Sequence, residues 1–282
     1  MIRKKLVLLV AIALFTSCNA QNGKPTIVVT NQPLAGIIKE LIGTRCEIVQ
    51  LLPPGASPHT YSPKASDVIE AQACRALFYV SEELDGWASK LQTPKKIKVI
   101  DFLLDSNKLT YSEGVVDPHF WTDPITVKGM LPKLVESLSE VLPDFKSSIT
   151  ANATIFERRL DLLDKQVLQL VDNLKGKSVF LFHPSFNYFL KRYGMFYAGS
   201  LEPSPGKEPS PNYMIELTEK IKLSGTKAIF SEPQLPAAPA KALAEAANVL
   251  LYILDPLGGT KGLYTYSDII LYNARIFKKA LE

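Results

Sequence analysis

The feature that most constrains the fold is an alternation of β-type apolar runs with helical patterns, which occurs in two separate stretches of the chain. In the first stretch, strands are predicted at 26–30, 47–52, 76–80 and 98–102, and helices at 34–42 and 63–73. In the second stretch, strands are predicted at 178–182, 228–230 and 249–254, and helices at 186–193, 214–223, 236–247 and 267–281. Strands that alternate with helices favour a parallel sheet covered on both faces. The sequence therefore predicts an α/β fold with two lobes, each a mostly parallel β-sheet flanked by helices.

One long amphipathic segment separates the two stretches. Its apolar residues recur at steps of four and three, at Ile149, Ala153, Phe156, Leu160, Leu163, Val167, Leu170 and Leu174. This spacing predicts a helix over 144–175, about 48 Å long. A coiled-coil dimerisation helix is one interpretation, but we favour a helix that packs across both lobes and joins them rigidly. The predicted organisation is an N-terminal lobe at 25–143, the linking helix and a C-terminal lobe at 176–282.

The N-terminus has the pattern of an export signal. A basic triplet at positions 3–5 precedes an apolar run at 6–15 and two small polar residues, and Cys18 follows them. This order is typical of a secretory signal peptide, and the apolar run is too short to span a bilayer permanently. We predict a signal peptide at 1–17 and a linker at 18–24 that is anchored by lipid on Cys18. An uncleaved anchor or a simple signal peptide is the alternative, and each of these routes exports the protein.

The charge balance argues against nucleic acid as a partner. The formal net charge is +4, but three of the basic residues lie in the predicted signal peptide, and without them the excess falls to one. No block of basic residues interleaved with aromatic residues is present, and such blocks are the usual mark of nucleic-acid binding.

Two cysteines remain in the predicted mature chain besides Cys18, namely Cys46 and Cys74. They can pair in an oxidising compartment, but we favour two buried thiols that behave as small apolar residues. Neither belongs to a CxxC pair, so a cysteine metal site is not predicted.

The strongest functional signal comes from the three histidines of the chain, His59, His119 and His183. Each lies beside a proline, and none belongs to a periodic apolar face. His59 and His183 follow predicted strands, as does Asp255, and His119 lies in the loop region beyond another strand. Because ligands bind at the carboxyl ends of strands in parallel α/β sheets, we expect these four side chains to converge between the lobes.

Three imidazoles and one carboxylate form a suitable ligand set for Zn²⁺. The lack of thiolate ligands argues against Cu(I) and iron–sulfur clusters, and Mg²⁺ and Ca²⁺ prefer more oxygen ligands. Mn²⁺ remains an alternative. Ligating histidines usually donate their second N–H to a carboxylate or a carbonyl. The acidic candidates for that role are Asp117, Asp123, Glu208 and Glu232.

Other classes of function have less support. A metallohydrolase keeps one metal position open for water and needs a general base, whereas Asp255 as a fourth ligand would close the site. No HExxH, GxSxG or P-loop motif is present. A receptor for an organic ligand needs an apolar or aromatic cleft, and no feature encodes adhesion. The sequence therefore predicts a metal-binding protein that is not an enzyme.

The segments around these residues resemble the ligand motifs of zinc/manganese-type (ZnuA/TroA-like) substrate-binding proteins of ABC transporters. The histidine motifs are LPPGASPHTYSP at 52–63, DPHFWTDP at 117–124 and FHPSFNYF at 182–189, and they are followed by EPSP at 208–211, IFSEP at 229–233 and LDPLG at 254–258. The motifs occur in family order over nearly the whole mature chain. The EPSP sequence also occurs at 202–205, and we assign the family role to the second copy.

This resemblance implies two α/β lobes joined by one long helix, with the metal bound between them. It also implies a monomeric lipoprotein that delivers metal to a membrane permease powered by an ATPase. Family members with histidine as the third ligand are zinc-directed and those with glutamate are manganese-directed, so His183 favours zinc. Residues 61–116 contain no histidine, whereas many zinc members carry a histidine-rich loop there. A manganese receptor of the same family is the alternative.

Overall fold

The structure is a computed structural model that describes residues 23–111, 114–202, 209–260 and 262–282. The predicted signal peptide, the predicted acylation site Cys18 and Glu208 lie outside these residues. Within the described ranges, no helix combines the length and the apolar character that a membrane span requires.

The N-terminal lobe is a four-stranded parallel sheet. Its strands are β1 (Thr26–Val29), β2 (Glu47–Gln50), β3 (Ala76–Tyr79) and β4 (Lys96–Lys98), in the order β2-β1-β3-β4. Its helices are α1 (Gln32–Ile42), α2 (Ala65–Ala73) and the short α3 (Glu82–Asp85). The two central strands are almost entirely apolar and buried, because helices and loops cover both faces of the sheet.

Two long helices follow, α4 (Pro124–Val141) and α5 (Lys146–Val171). The predicted helix at 144–175 is α-helical over 26 residues, about 39 Å, and short 3-10 turns at Pro143–Phe145 and Asp172–Leu174 extend it. The apolar stripe that predicted this helix is buried from Ile149 to Val167, whereas Leu170 is only half-buried. Helix α5 packs against α4 and α1 of the N-terminal lobe and against the C-terminal helix of the chain, so it lies in the middle of the molecule.

The C-terminal lobe repeats the architecture of the first lobe. Its strands are β5 (Ser178–Leu181), β6 (Phe196–Ser200), β7 (Ala228–Ser231) and β8 (Leu250–Ile253), all parallel and in the order β6-β5-β7-β8. Its helices are α6 (Asn187–Tyr193), α7 (Pro211–Ser224), α8 (Ala237–Ala247) and α9 (Tyr266–Leu281). The α/β fold with two parallel-sheet lobes and one long helix between them is thus confirmed.

Several local predictions differ from the structure. The predicted strand at 98–102 is wrong, because β4 ends at Lys98, where its pairing with Tyr79 ends, and Val99–Phe102 forms a 3-10 helix. Strand β6 and helix α4 were not predicted from the sequence. Strand β6 is an edge strand with an exposed start, so it lacks the continuous apolar run of a central strand.

Hydrogen bonds tie the two lobes together near the long helix. The Trp121 indole Nε1 donates to the Pro256 carbonyl at 2.8 Å, and the Tyr266 hydroxyl donates to the Trp121 carbonyl at 2.8 Å. On another side of the interface, the Leu109 amide donates to the Tyr188 hydroxyl at 3.0 Å. Because Trp121 and Tyr266 are almost fully buried, these contacts fix the lobes at the place where the histidines lie.

Candidate metal centre

His59 lies in the loop between β2 and α2. The Trp87 indole donates to the Pro58 carbonyl at 2.9 Å and thereby holds the loop beside α3. His59 Nδ1 is 3.1 Å from the main-chain carbonyl oxygen of Glu83, which can only accept a hydrogen bond, so Nδ1 carries the proton. Nε2 is therefore the lone-pair nitrogen. It is buried, and no group in the described part of the chain hydrogen-bonds to it.

His119 lies directly before the 3-10 turn Phe120–Thr122 that leads into α4. Asp117 Oδ1 accepts hydrogen bonds from both the main-chain amide of His119, at 2.9 Å, and its Nδ1, at 2.8 Å. The second carboxylate oxygen of Asp117 accepts from the Asn187 side chain at 3.0 Å, a contact to the other lobe. Because a carboxylate accepts only, Nδ1 again carries the proton and Nε2 is left for a ligand.

One residue separates His183 from the end of β5, and its partner Glu232 comes directly after β7. Glu232 Oε1 lies 3.1 Å from His183 Nδ1 and also accepts from the Ser185 hydroxyl at 2.5 Å. The buried Nε2 of His183 has no hydrogen-bond partner among the described residues. His183 thus presents Nε2 in the same way as the other two histidines, although its ring is held from the C-terminal sheet.

The three imidazoles converge on one point between the lobes. Their ring centroids lie 5.8 Å apart for His59 and His119, 5.3 Å for His59 and His183, and 4.8 Å for His119 and His183. One nitrogen from each ring lies within 4.8 Å of the others, close enough for a single metal ion. The rings line a cavity of about 350 Å³. His119 and His183 are 2% and 5% exposed, and His59 is half-buried, so the site is open from one side.

The electrostatics of the three rings differ. Burial, together with the neighbouring His183 and His119, lowers the pKa of His59 to about 3. Burial also lowers the pKa of His119, and the contact with Asp117 offsets this in part. For His183, burial again disfavours the charged ring, but the carboxylates of Glu232, Asp117 and Glu202 together outweigh burial and raise the pKa above its ordinary value. Two rings are thus held neutral, and one holds a proton more tightly than a free imidazole.

The ligand atoms that lie within 4.8 Å of one another belong to the three histidines, and the carboxylate of Asp255, the predicted fourth ligand, is not among them. Asp255 follows β8 and is 2% exposed. Among the described residues, the hydrogen bonds to its carboxylate all end on Oδ1, from Gln234 Nε2 at 2.8 Å and from the amides of Leu257 at 3.2 Å and Gly258 at 2.8 Å. The side chain therefore lies just behind the wall of the histidine cavity.

Other polar side chains line this wall, and two of them were not predicted as site residues. Glu202, Glu232 and Gln234 all border the cavity. Glu202 belongs to the first EPSP copy and follows β6. Because β6 was not predicted, the sequence did not indicate that Glu202 lies at the end of a strand. Gln234 carries no charge and no metal-type nitrogen, and a sequence scan for metal ligands passes over it.

The predicted supporting residues have mixed outcomes. Asp117 and Glu232 do hold histidine rings. Asp123 does not, because it caps α4 by accepting from the Ile125 amide at 2.9 Å and from the hydroxyl of Thr126. Cys46 and Cys74 are free and buried, which agrees with the interpretation favoured from the sequence.

Comparisons with known proteins find relatives that are named as metal-binding proteins. The model of the family "Zinc-uptake complex component A periplasmic" matches residues 27–280. A putative metal-binding protein of Thermotoga maritima is 30% identical over 98% of this chain and 97% of its own length. The zinc-binding lipoprotein AdcA of Streptococcus pneumoniae is 30% identical over 99% of this chain, which spans 61% of the AdcA length.

Solved structures show the same architecture. The periplasmic zinc binding protein TroA from Treponema pallidum superposes with a TM-score of 0.81 at 25% identity, covering 92% of this chain and 99% of TroA. A crystal structure of ZnuA gives a TM-score of 0.81 at 25% identity, covering 91% of this chain and 99% of ZnuA.

Proposed function

The chain belongs to the family of periplasmic zinc-uptake complex component A proteins, and on this basis we propose that it captures a divalent transition metal outside the cytoplasm. Zinc is the preferred cargo, manganese is the alternative, and the recipient is the permease of an ABC transporter with its ATPase. The observation that carries the proposal is the convergence of three Nε2-presenting imidazoles between the lobes. The names of AdcA and TroA, which are zinc-binding proteins, favour zinc.

The proposed ligands are His59, His119, His183 and Asp255. The three imidazoles bind through Nε2, and Asp255 supplies a carboxylate oxygen from the C-terminal lobe. Four protein ligands already complete the tetrahedral shell of zinc without the activated water that a hydrolase requires, so the site suits binding and not catalysis. Two of the proposed ligands come from each lobe, so the ion is bound at the interface between the lobes.

The proposal extends to the ends and boundaries of the chain. Residues 1–17 act as the signal peptide, and lipid on Cys18 holds a monomer at the membrane, facing the periplasm or the cell exterior. The lobes at 25–143 and 176–282 are the two binding halves, and 144–175 is the rigid connection. The packing of α5 against helices of both lobes supports this division.

Calorimetric titration with zinc and manganese, in competition with a chelator, tests the site. We expect His59→Ala, His119→Ala and His183→Ala each to weaken zinc binding strongly, because each removes a nitrogen ligand. The control Gln166→Ala, on the exposed face of α5, should bind like the wild type. Unchanged affinity in two of the three histidine variants would contradict the site.

The role of Asp255 needs a separate variant. Asp255→Asn keeps an oxygen that accepts from Gln234 and the two amides but removes the negative charge. If Asp255 is a ligand, zinc affinity falls while the melting temperature of the metal-free protein changes little. Saturating zinc should raise the melting temperature of the wild type, because an ion at 100 times its Kd stabilises the folded state by about 2.7 kcal/mol. A melting temperature indifferent to zinc would argue against capture.

A further inference from the structure

Gln234 lies on the wall of the histidine cavity, in the turn between β7 and α8. Its Nε2 donates to Asp255 Oδ1 at 2.8 Å. Its Oε1 is buried, and within the described ranges of the chain no group hydrogen-bonds to it. The side chain thus connects the predicted fourth ligand to the cavity and still has one unused acceptor.

The orientation of the Gln234 amide is fixed by chemistry. A carboxylate oxygen only accepts hydrogen bonds, so the amide must turn its NH₂ group toward Asp255, and a flip would set two acceptors against each other. The carbonyl oxygen therefore faces away from Asp255. A buried acceptor without a partner is unfavourable, because it has lost its hydrogen bonds to water. A group that brings a donor into the cavity recovers this free energy.

We propose that Gln234 is a positioning and specificity-determining residue of the metal site, whose Oε1 accepts a hydrogen bond from a water molecule bound to the captured ion. The inference rests on the proposed function. The cavity, at about 350 Å³, has room for an ion and water, since a water molecule occupies about 30 Å³. The same side chain holds Asp255 through Nε2, so it sets the positions of two oxygen atoms around the ion.

This arrangement has a consequence for metal choice. Manganese prefers oxygen ligands and water, whereas zinc is satisfied by four nitrogen and oxygen ligands in a tetrahedron. A retained water raises the number of oxygen ligands and so favours manganese more than zinc. Gln234 therefore broadens the site, which His59, His119 and His183 alone would make more selective for zinc.

The test compares Gln234→Met and Gln234→Glu with the wild type and with Leu235→Met, a control that changes an apolar lining residue of the same cavity. Methionine keeps the length of the side chain but has neither the amide donor nor its oxygen. We expect Gln234→Met to lower manganese affinity on the order of 10- to 100-fold, the usual cost of losing an outer-shell partner, and to lower zinc affinity less. Gln234→Glu keeps an acceptor and should retain manganese binding.

Two further readouts separate this role from a purely structural one. The visible spectrum of the Co²⁺-loaded protein should change from the weaker absorption of a five-coordinate ion to the stronger absorption of a tetrahedral ion in Gln234→Met. Gln234→Glu should lower the melting temperature of the metal-free protein, because it sets a second carboxylate beside Asp255, although it binds manganese better than Gln234→Met.

Equal losses of zinc and manganese affinity in Gln234→Met, or no loss of either with an unchanged Co²⁺ spectrum, would overturn the inference. A wild-type protein that binds neither ion would instead overturn the proposed function, and the wild-type titration shows this before any variant is made. An effect of Leu235→Met as large as that of Gln234→Met would assign the loss to packing of the wall and also refute the role of the amide.

Discussion

The pH dependence of metal affinity follows from the unequal pKa values of the three histidines. Three ordinary imidazoles with pKa values of about 6.5 would each have to lose a proton, so affinity would fall by nearly a thousandfold per pH unit well below pH 6. Here burial already keeps His59 and His119 neutral, and only His183, beside Glu232, holds a proton. Zinc affinity should therefore fall by only about tenfold per pH unit between about pH 5 and 6, or about 1.36 kcal/mol.

Chelator competition at several pH values measures this slope, and calorimetry in buffers of different ionisation enthalpy counts the protons released. Glu232→Gln keeps an oxygen for the Nδ1–H of His183 but removes the charge that raises its pKa. Burial then dominates, and the slope should approach zero. Glu136→Gln on the exposed surface of α4 is the matched control and should keep the wild-type slope. A slope near three, or one that Glu232→Gln leaves unchanged, would refute the reasoning.

Three further predictions concern stability, measured as the free energy of unfolding in denaturant. Gly258→Ala should lower the stability clearly more than Gly225→Ala. Both glycines have left-handed φ angles, of +67° and +69°, and share the left-handed cost of about 1–2 kcal/mol, but only at Gly258 would an added Cβ meet other atoms, at 2.6 Å. Equal losses of stability would contradict the clash at Gly258. Trp121→Phe should cost about 1–3 kcal/mol, because it leaves the buried Pro256 carbonyl without its donor; a loss no larger than that of an exposed substitution would count against the interlobe contact. The metal-free protein should lose stability as pH falls from about 6.5 toward 3, because the unfolded chain binds a proton at His59 that the folded chain refuses, and His59→Gln should flatten this loss.

Much of the fold could be predicted because its signals are local. The central strands are continuous apolar runs, and the stripe from Ile149 to Leu174 follows one helix face. The histidines could be found because their position after strands, next to prolines, sets them apart from core residues. Parallel topology places the strand ends of each sheet at one edge, and His59 and His183 converge because these edges of the two lobes face each other.

The remaining features depend on contacts between segments that are distant in the sequence. Whether Asp255 reaches the histidines is decided by the Gln234 amide and by the main-chain amides of its own loop, which compete for its carboxylate. The place of Glu202 depends on β6, an edge strand whose exposed residues give no clear pattern. Such competition between hydrogen-bond partners leaves no periodic trace in a sequence.

The three rings are not equivalent, and this difference bears on how an ion is captured. His119 and His183 are buried, have the shortest centroid distance of the three pairs, and are each held by a carboxylate. Asp117, which holds His119, also contacts Asn187 in the other lobe, so this pair is fixed across the interface. His59 is more exposed, and its ring rests on a main-chain carbonyl. In the proposed site, the buried pair therefore forms the preassembled base, and His59 is positioned to close over an ion that enters from the open side.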